Sequence, residues 1–503
     1  MNDSSRTGVL GRLPGAWALL VAACAGAAGV AGSFAVAAFT PSFVAGPIAG
    51  LLAREMPAVV VRYAITVLGD LGSKLNIVAA LAISTAVFAA AALVGLGVAR
   101  RTDLPPVGPP VGGALAAGAA YAVTAVPLPS AVAGLAVGGV LAAAAFASLP
   151  DLETVSEERR RVLGGAASAL AFVGGGYLLG GRGGFTEPSG AGEPLEVNSV
   201  LQAEIDQRLS QAEGQSLDVE GLEALVSEDF YEVDINATDP TLDAAEWELT
   251  VTGAVEEEVS YTYADVREMD AENRFVSLRC VGERLNGRKM DNALWTGVPI
   301  MDLVEPAGPA EECCVMLRAA DDFYEEFPLS ALEDGFLAFG MNGETLPAGH
   351  GYPARALIPG HWGEINVKWI TEIEILEEEA DGYWEERGWH GTGPVNTVAK
   401  LHLEESLDDG LIRVGGHAYA GTRGVGSVEV SIDGGDTWTE ADLSEPLPGD
   451  DVWRQWVHTY DPPDGEHEVV VRAIETDGTV QPSDETDAFP SGPSGWVSRT
   501  VEP

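Results

Sequence analysis

Four stretches of this 503-residue chain, roughly 16–39, 76–98, 130–148 and 162–180, are each long and apolar enough to cross a lipid bilayer. All four lie before residue 185. A chain in hydrocarbon must satisfy its backbone hydrogen bonds internally, so these stretches are expected as helices, and residues 1–184 as an α-helical membrane bundle. A fifth stretch, 111–128, is weaker, being dominated by Gly, Ala and Pro. Arg54, Glu55, Arg62 and Asp70 interrupt segment 43–72, which reads as an interfacial or re-entrant piece.

Charge divides the chain at the same place. Residues 1–184 hold 11 Lys/Arg and 8 Asp/Glu; of the totals of 28 and 76, that leaves 17 against 68, a net of −51 over the last 319 residues. Such a balance argues against a nucleic-acid partner, because phosphate binding needs clustered cations. Tryptophans, alternating strand patterns and regular turn signals recur through the acidic portion, so it is expected to fold and not to form a disordered tail. A carboxylate-rich folded surface suits very high salt, where self-repulsion is screened, and the chain reads as halophilic.

Lys/Arg clusters orient the helices. Arg6 and Arg12 precede the first span, Arg100 and Arg101 follow the second, and Arg159, Arg160 and Arg161 precede the last. Five spans put all three clusters on one side and the acidic portion on the other, outside the cytoplasm; six would break that agreement. Ser156-Glu-Glu-Arg-Arg-Arg-Val-Leu163 also has the look of a twin-arginine export signal, and an ordinary positive-inside cluster explains it equally well. The first histidine is His350, so the membrane helices cannot hold a bis-histidine haem. They are expected to act as an anchor in lipid or as a docking surface.

After a Gly/Pro/Ser/Glu-rich linker over 185–215 that runs into a short amphipathic helix, residues 216–395 mix strands such as 247–253 and 275–278 with short helices, an α+β pattern. From 405 to 503, strands at 411–414, 427–432, 453–460 and 467–474 alternate with Asp-Gly turns, the pattern of an immunoglobulin-like β-sandwich.

Cys280 ends the strand Arg274-Phe-Val-Ser-Leu-Arg-Cys280 and precedes Val281-Gly282, where the chain can turn. A thiolate there is placed to ligate a soft metal or act as a nucleophile; a lone Cys is otherwise a small buried hydrophobe. Arg279, Arg284, Arg288 and Lys289 gather four cations beside it, which suits an anionic ligand or, alternatively, an ion-pair network with Glu283. Cys313 and Cys314 read as packing residues of a core strand, since adjacent cysteines seldom bridge without strain.

The stretch Phe275–Gly282, then Asn292-Ala-Leu-Trp295-Thr-Gly-Val-Pro299, resembles the molybdopterin-binding core of the sulfite oxidase family. The resemblance continues through Phe336-Leu-Ala-Phe-Gly-Met341-Asn342-Gly343, His350-Gly-Tyr-Pro-Ala-Arg355, Val367-Lys368-Trp369 and Tyr383-Trp384-Glu385. In the last domain, Arg423-Gly-Val and Asp433-Gly-Gly-x-Thr-Trp438 resemble that family's dimerisation domain. The resemblance implies a molybdenum–molybdopterin cofactor with Cys280 as its thiolate ligand. It implies cofactor contacts from His350, Arg355 and Lys368, with Asn366 and Val367 beside Lys368. Tyr231 and Glu232 resemble a cofactor-contacting Phe-Tyr-Glu of the periplasmic methionine sulfoxide reductase branch, and Arg423 an arginine that reaches the substrate pocket. A structural ion pair is the alternative for each.

Two departures bear on substrate. The position of the family's tyrosine near the metal is taken by Phe339, which cannot donate a proton, and an early Arg-x-His is replaced around Glu232-Val-Asp234. The expected activity is therefore oxygen-atom transfer to or from a sulfur or nitrogen oxide, without commitment to sulfite. A separate electron-carrier protein and a homodimer are the expected partners. The alternative is a surface protein that kept the fold and lost the metal.

Overall fold

The computed structural model describes residues 15–146, 157–180, 190–310 and 313–503, and within it two compact units separate, one holding most of the first 186 residues and the other nearly everything after.

In the first unit, α1 (Ala16–Ala37), α4 (Asp70–Thr102), α5 (Gly108–Thr124), α6 (Pro127–Phe146) and α7 (Glu157–Gly180) pack on one another, with the shorter α2 (Ala45–Arg54) beside α4. Small residues make the close approaches possible. A Cβ on Gly113 would fall 2.7 Å from the Gly134 carbonyl, and one on Gly26 would strike the Thr85 carbonyl. Among the described residues, four helices reach membrane-crossing length and hydropathy: Ala16–Ala37, Leu71–Thr102, Pro127–Phe146 and Val162–Gly180. The expected fifth, α5, does form a helix but stops at 17 residues. Arg6 and Arg12, and the start of the twin-arginine-like stretch at Ser156, lie outside the described residues.

Segment 57–69 parts from its neighbours in sequence. Its α3 (Ala58–Tyr63) and the wider turn Ala64–Leu68 belong to the second unit. So does α8 (Ser199–Gln215), within the stretch 185–215 read as a linker running into a short amphipathic helix. Asn198 caps α8 by accepting from the Val200 and Leu201 N–H groups, and Leu201, Ile205 and Ala212 bury into the core.

The second unit is built on four sheets. In the first two, the strands are β1 (Glu248–Gly253), β2 (Val259–Thr262), β3 (Glu272–Arg279), β4 (Met290–Pro299), β5 (Cys314–Ala319), β6 (Tyr324–Pro328), β7 (Phe336–Met341), β8 (Glu344–Thr345), β9 (Arg355–Leu357) and β10 (Ile370–Leu376). They order as β2-β1-β10-β5-β6 and β3-β4-β7-β8, with β9 on β7. β3, β4 and β7 are buried almost throughout; β7 reads accordingly as an apolar run, whereas β3 and β4 also bury polar side chains such as Asn273, Ser277, Arg279, Asp291 and Asn292. At the start of β5 the structure corrects the packing reading of Cys313 and Cys314, which form a disulfide between neighbours.

The remaining strands are β11 (Val398–Ala399), β12 (Leu403–Ser406), β13 (Ile412–Tyr419), β14 (Val425–Ser431), β15 (Thr439–Glu440), β16 (Asp442–Leu443), β17 (Arg454–Tyr460), β18 (His467–Glu475) and β19 (Val497–Val501). They form two antiparallel sheets, β11-β13-β17-β16 with β12 on β13, and β15-β14-β18-β19. Val414, Trp456, Val428, Val471 and Val501 meet in their shared core. Tyr419 closes the joint with the preceding sheets, its hydroxyl 3.0 Å from the Ser277 carbonyl and 2.6 Å from Asp451.

Candidate active site

β3 delivers Cys280 to the end of a buried strand, paired to β4 as far as Arg279 opposite Met290. The Cys280 N–H donates to the Lys289 carbonyl at 3.0 Å, closing the loop between them. Glu283 fills that loop. Its carboxylate takes the Arg279 Nε at 2.9 Å, the Lys400 Nζ at 2.6 Å and the Lys289 N–H at 2.9 Å. Side-chain exposure in this triad is at most 1%. Of the four cations beside Cys280, Arg279 is thus committed to the ion-pair alternative. Losing one partner of so buried a set strands the others without water.

The second group comes from the stretch after β8. A single turn, Ala348–His350, leads to Gly351 at φ +106, a left-handed position suited to glycine. Arg355, opening β9, donates to the His350 carbonyl at 3.3 Å and the Asn366 carbonyl at 3.0 Å, and its guanidinium lies 5.2 Å from the Trp295 ring centre. Lys368 Nζ donates to the Gly349 carbonyl at 2.7 Å. Asn366 pins the turn between: its Oδ1 accepts the Ile358 N–H at 2.7 Å and its Nδ2 donates to the Trp362 carbonyl at 2.9 Å. Val367 packs inward while its carbonyl accepts the Ala356 N–H.

Aromatic rings join this group to Tyr231. Phe230 stacks on Tyr231 and meets Trp295 and His350 edge-on, each centroid 5.5 Å away. The Tyr231 N–H donates to Asp291 at 2.6 Å. His350 Nε2 stands 3.7 Å from the Glu232 carboxylate. Burial, then Arg355 and Lys368, push His350 down to about 3, so the ring is neutral at ordinary pH. Burial pushes the Tyr231 hydroxyl well up, with Cys280 the leading charged neighbour. The Cys280 thiol is pushed up to about 11, again by burial.

Tyr231, Glu232, His350, Arg355, Asn366, Val367 and Lys368 are therefore brought together, and the end of β3 lies beside them, since a Cβ on Gly363 would stand 2.7 Å from the Tyr231 hydroxyl and 3.3 Å from the carbonyl of Arg279, the residue before Cys280. Arg423 is engaged by the segment that also holds Arg279, whose guanidinium donates to the Asn396 carbonyl at 2.7 Å. The Arg423 Nε pairs with Glu475 at 2.9 Å, and its other donors reach the Val395 carbonyl at 2.8 Å and Thr397 at 3.1 Å. Phe230 and Trp295, which the sequence motifs contained without a role of their own, pack among these residues, and Asp291, which accepts the Tyr231 N–H, had no separate signal in the sequence. Phe339 packs under Arg267, 4.7 Å from the guanidinium, which itself bonds the Glu196 carbonyl.

The donor set fits a phosphate-bearing pterin. A guanidinium and an ammonium converge around a neutral histidine, and a Cβ on Gly351 would press within 3.1 Å of both the Arg355 and Lys368 side chains, so the turn must stay bare. A thiol held protonated by burial is one that a soft metal cation would deprotonate outright.

Comparisons with known proteins agree. Residues 236–384 match the "Oxidoreductase molybdopterin binding domain" and residues 395–489 the "Mo-co oxidoreductase dimerisation domain". The chain is 27% identical over 297 residues to the mitochondrial sulfite oxidase of Mus musculus, covering 48% of this chain and 54% of that protein. It spans about half the length of the animal sulfite oxidases it matches. The uncharacterized oxidoreductase YuiH of Bacillus subtilis (strain 168) is 31% identical over 154 residues, which cover 30% of this chain and 76% of that protein. Among solved structures, the sulfane dehydrogenase SoxCD from Paracoccus pantotrophus aligns with a TM-score of 0.46 at 20% identity, over 56% of this chain and 82% of that one. With a molybdopterin-binding core and a dimerisation domain in the same order, the chain belongs to the sulfite oxidase family of molybdopterin-dependent oxidoreductases.

Proposed function

We propose that this enzyme is anchored in a membrane with its molybdenum site outside the cytoplasm, and that it moves an oxygen atom to or from a sulfur- or nitrogen-oxide substrate. The convergence of His350, Arg355 and Lys368 next to the aromatic run that leads to Cys280 carries this reading. Bound molybdenum–molybdopterin supplies the two-electron oxygen-transfer chemistry. Cys280 is assigned as the metal's thiolate ligand, fixed by the strand behind it and by the Lys289 carbonyl. Arg355 and Lys368 hold the anionic end of the cofactor, and Asn366 and Val367 set their spacing. Tyr231, Glu232 and neutral His350 line the pterin side. Arg423 is left out of the reacting set, because its pairing with Glu475 supports the structural alternative.

Phe339 lies under the Arg267 guanidinium and is left out of the substrate-binding set. Electrons pass to or from a separate carrier protein, and the β-rich C-terminal domain, read as an immunoglobulin-like sandwich, pairs two copies. Five crossings by α1, α4, α5, α6 and α7 place the acidic unit opposite Arg100 and Arg101.

Molybdenum content of the purified protein, measured beside Cys280→Ser, tests the site. About one molybdenum per chain is expected, with the visible spectrum altered and turnover abolished in the variant. An unaltered spectrum in the variant would remove Cys280 from the metal. For the anchoring, a cysteine introduced at Ser199 should react with an impermeant reagent in intact cells; protection there would reverse the topology.

A further inference from the structure

Glu325 on β6, Glu364 in the turn Gly363–Ile365 and Glu385 in the turn Glu385–Arg387 come from three separate segments, yet each offers an oxygen within 4.8 Å of the other two. Glu325 is 0% exposed and Glu364 9%. None of the six carboxylate oxygens meets a donor at full hydrogen-bonding geometry, and the donors nearest them are the backbone N–H groups of Trp384 at Glu325 and of Gly391 at Glu364. The charged groups that act most strongly are Glu385 and Glu364 on Glu325, and Glu385 on Glu364, with no cation among them. Burial and this mutual repulsion push Glu325 well up and Glu364 up to about 8. The backbone around them is bare. A Cβ on Gly391 would lie 2.5 and 2.6 Å from the two Glu364 oxygens, and one on Gly382 would collide with Glu325 and come within 2.7 Å of Glu385. The two glycines thus leave room for three carboxylates that no charged side chain neutralises.

We propose that Glu325, Glu364 and Glu385 form a calcium-binding site in the oxidoreductase core. Hard, all-oxygen acceptors select calcium or magnesium over softer ions. Oxygens 2.3–2.6 Å from a calcium ion stand up to roughly 5 Å apart across it, so three oxygens all within 4.8 Å of one another can reach one such ion, and calcium tolerates irregular all-oxygen geometry better than magnesium. Three negative charges favour a divalent ion over sodium. The bound ion would also be a clamp. Glu364 lies two residues before Asn366, and Glu385 begins the turn that leads to Trp389, whose ring edge lies 3.7 Å from the Cβ position of Gly282 beside Cys280. The inference stands on the carboxylates alone and does not depend on the substrate proposed above.

Terbium luminescence excited through tryptophan tests it, because Trp362 and Trp384 adjoin the site in sequence. The full-length protein in detergent, stripped with chelator, would be titrated with terbium beside Glu325→Gln and Glu385→Gln. A saturable component should appear in the wild type, be displaced by calcium more readily than by magnesium or sodium, and weaken at least about tenfold in either variant. Calcium should raise the wild-type Tm and leave that of the variants unmoved. With chelator present, Glu325→Gln should melt no lower than the wild type, since it removes a buried charge; should it fail to fold, the more exposed Glu385→Gln carries the comparison. Equal luminescence in wild type and variants would assign binding to the acidic surface and overturn the proposal. So would a wild-type Tm indifferent to calcium, which would leave the three carboxyls sharing protons.

Discussion

Asp451 shows how far burial can move one side chain in a very acidic protein. It is 4% exposed and takes a 2.6 Å hydrogen bond from the Tyr419 hydroxyl, yet burial pushes it up to about 7. Asp291, which receives the Tyr231 N–H, is pushed equally far by the same cause. Between an unfolded value near 3.8 and a folded value near 7, the folded chain binds more protons than the unfolded chain. The stability Asp451 contributes is therefore complete below pH 4 and lost as the pH rises through 7, with a slope of at most about 1.4 kcal/mol per unit. Asp451→Asn should lessen the pH dependence of unfolding between pH 5 and 8, leaving the shares due to Asp291, Glu326 and Glu364; denaturant melts at several pH values would measure it. Residue chemistry was partly legible beforehand. Cys280 at a strand end, and a cation beside an acid four residues on, could be read directly. That Lys400 completes the Arg279–Glu283 pair could not, because only the packing of the β-rich domain brings it there.

At the scale of elements, segment 57–69 is the clearest case of local sequence underdetermining structure. Its interrupted apolar run read as interfacial, and nothing in its periodicity ties it to Cys280. In the structure it belongs to the oxidoreductase unit: Arg62 lies 4.8 Å over the Phe489 ring, and the Val67 carbonyl accepts from Arg284 at 3.3 Å. A Cβ on Gly282 would meet the Ile65 side chain at 2.8 Å, so this glycine is there for close approach. Gly282→Ala is expected to cost about 1–3 kcal/mol through overpacking. The cost should shrink when Ile65→Ala is present, and thermal melts of the four members of that cycle would check it. An undiminished cost in the double variant would mean that the contact is absent. The disulfide of Cys313 and Cys314 was unreadable for a related reason, since the sequence shows two neighbours and not the backbone geometry that lets them meet.

For the whole molecule, charge is the controlling quantity. A net of −51 over the last 319 residues repels itself, and screening changes that repulsion strongly with salt. The Debye length falls from about 10 Å at 0.1 M to about 3 Å at 1 M. The Tm of the detergent-solubilised protein should therefore rise steadily with potassium chloride across that range. A flat profile would remove the halophilic reading and leave the acidity without a role in stability. Buried ion sets such as Arg279–Glu283–Lys400 should respond little, because no solvent reaches them.

Sequence alone determined what depends on composition and on short-range pattern. The apolar helices, the acidic division of the chain, the strands leading to and from Cys280 and the ordered motifs of the family all follow from neighbours along the chain. Tertiary structure decided whatever needs residues far apart in sequence to meet. It tied Arg423 to Glu475, seated Phe339 under Arg267 and placed 57–69 with the oxidoreductase. It also drew Glu325, Glu364 and Glu385 within reach of one ion. The reason is physical: periodicity reports which face of an element is buried, while a site's chemistry is set by which buried faces are packed together.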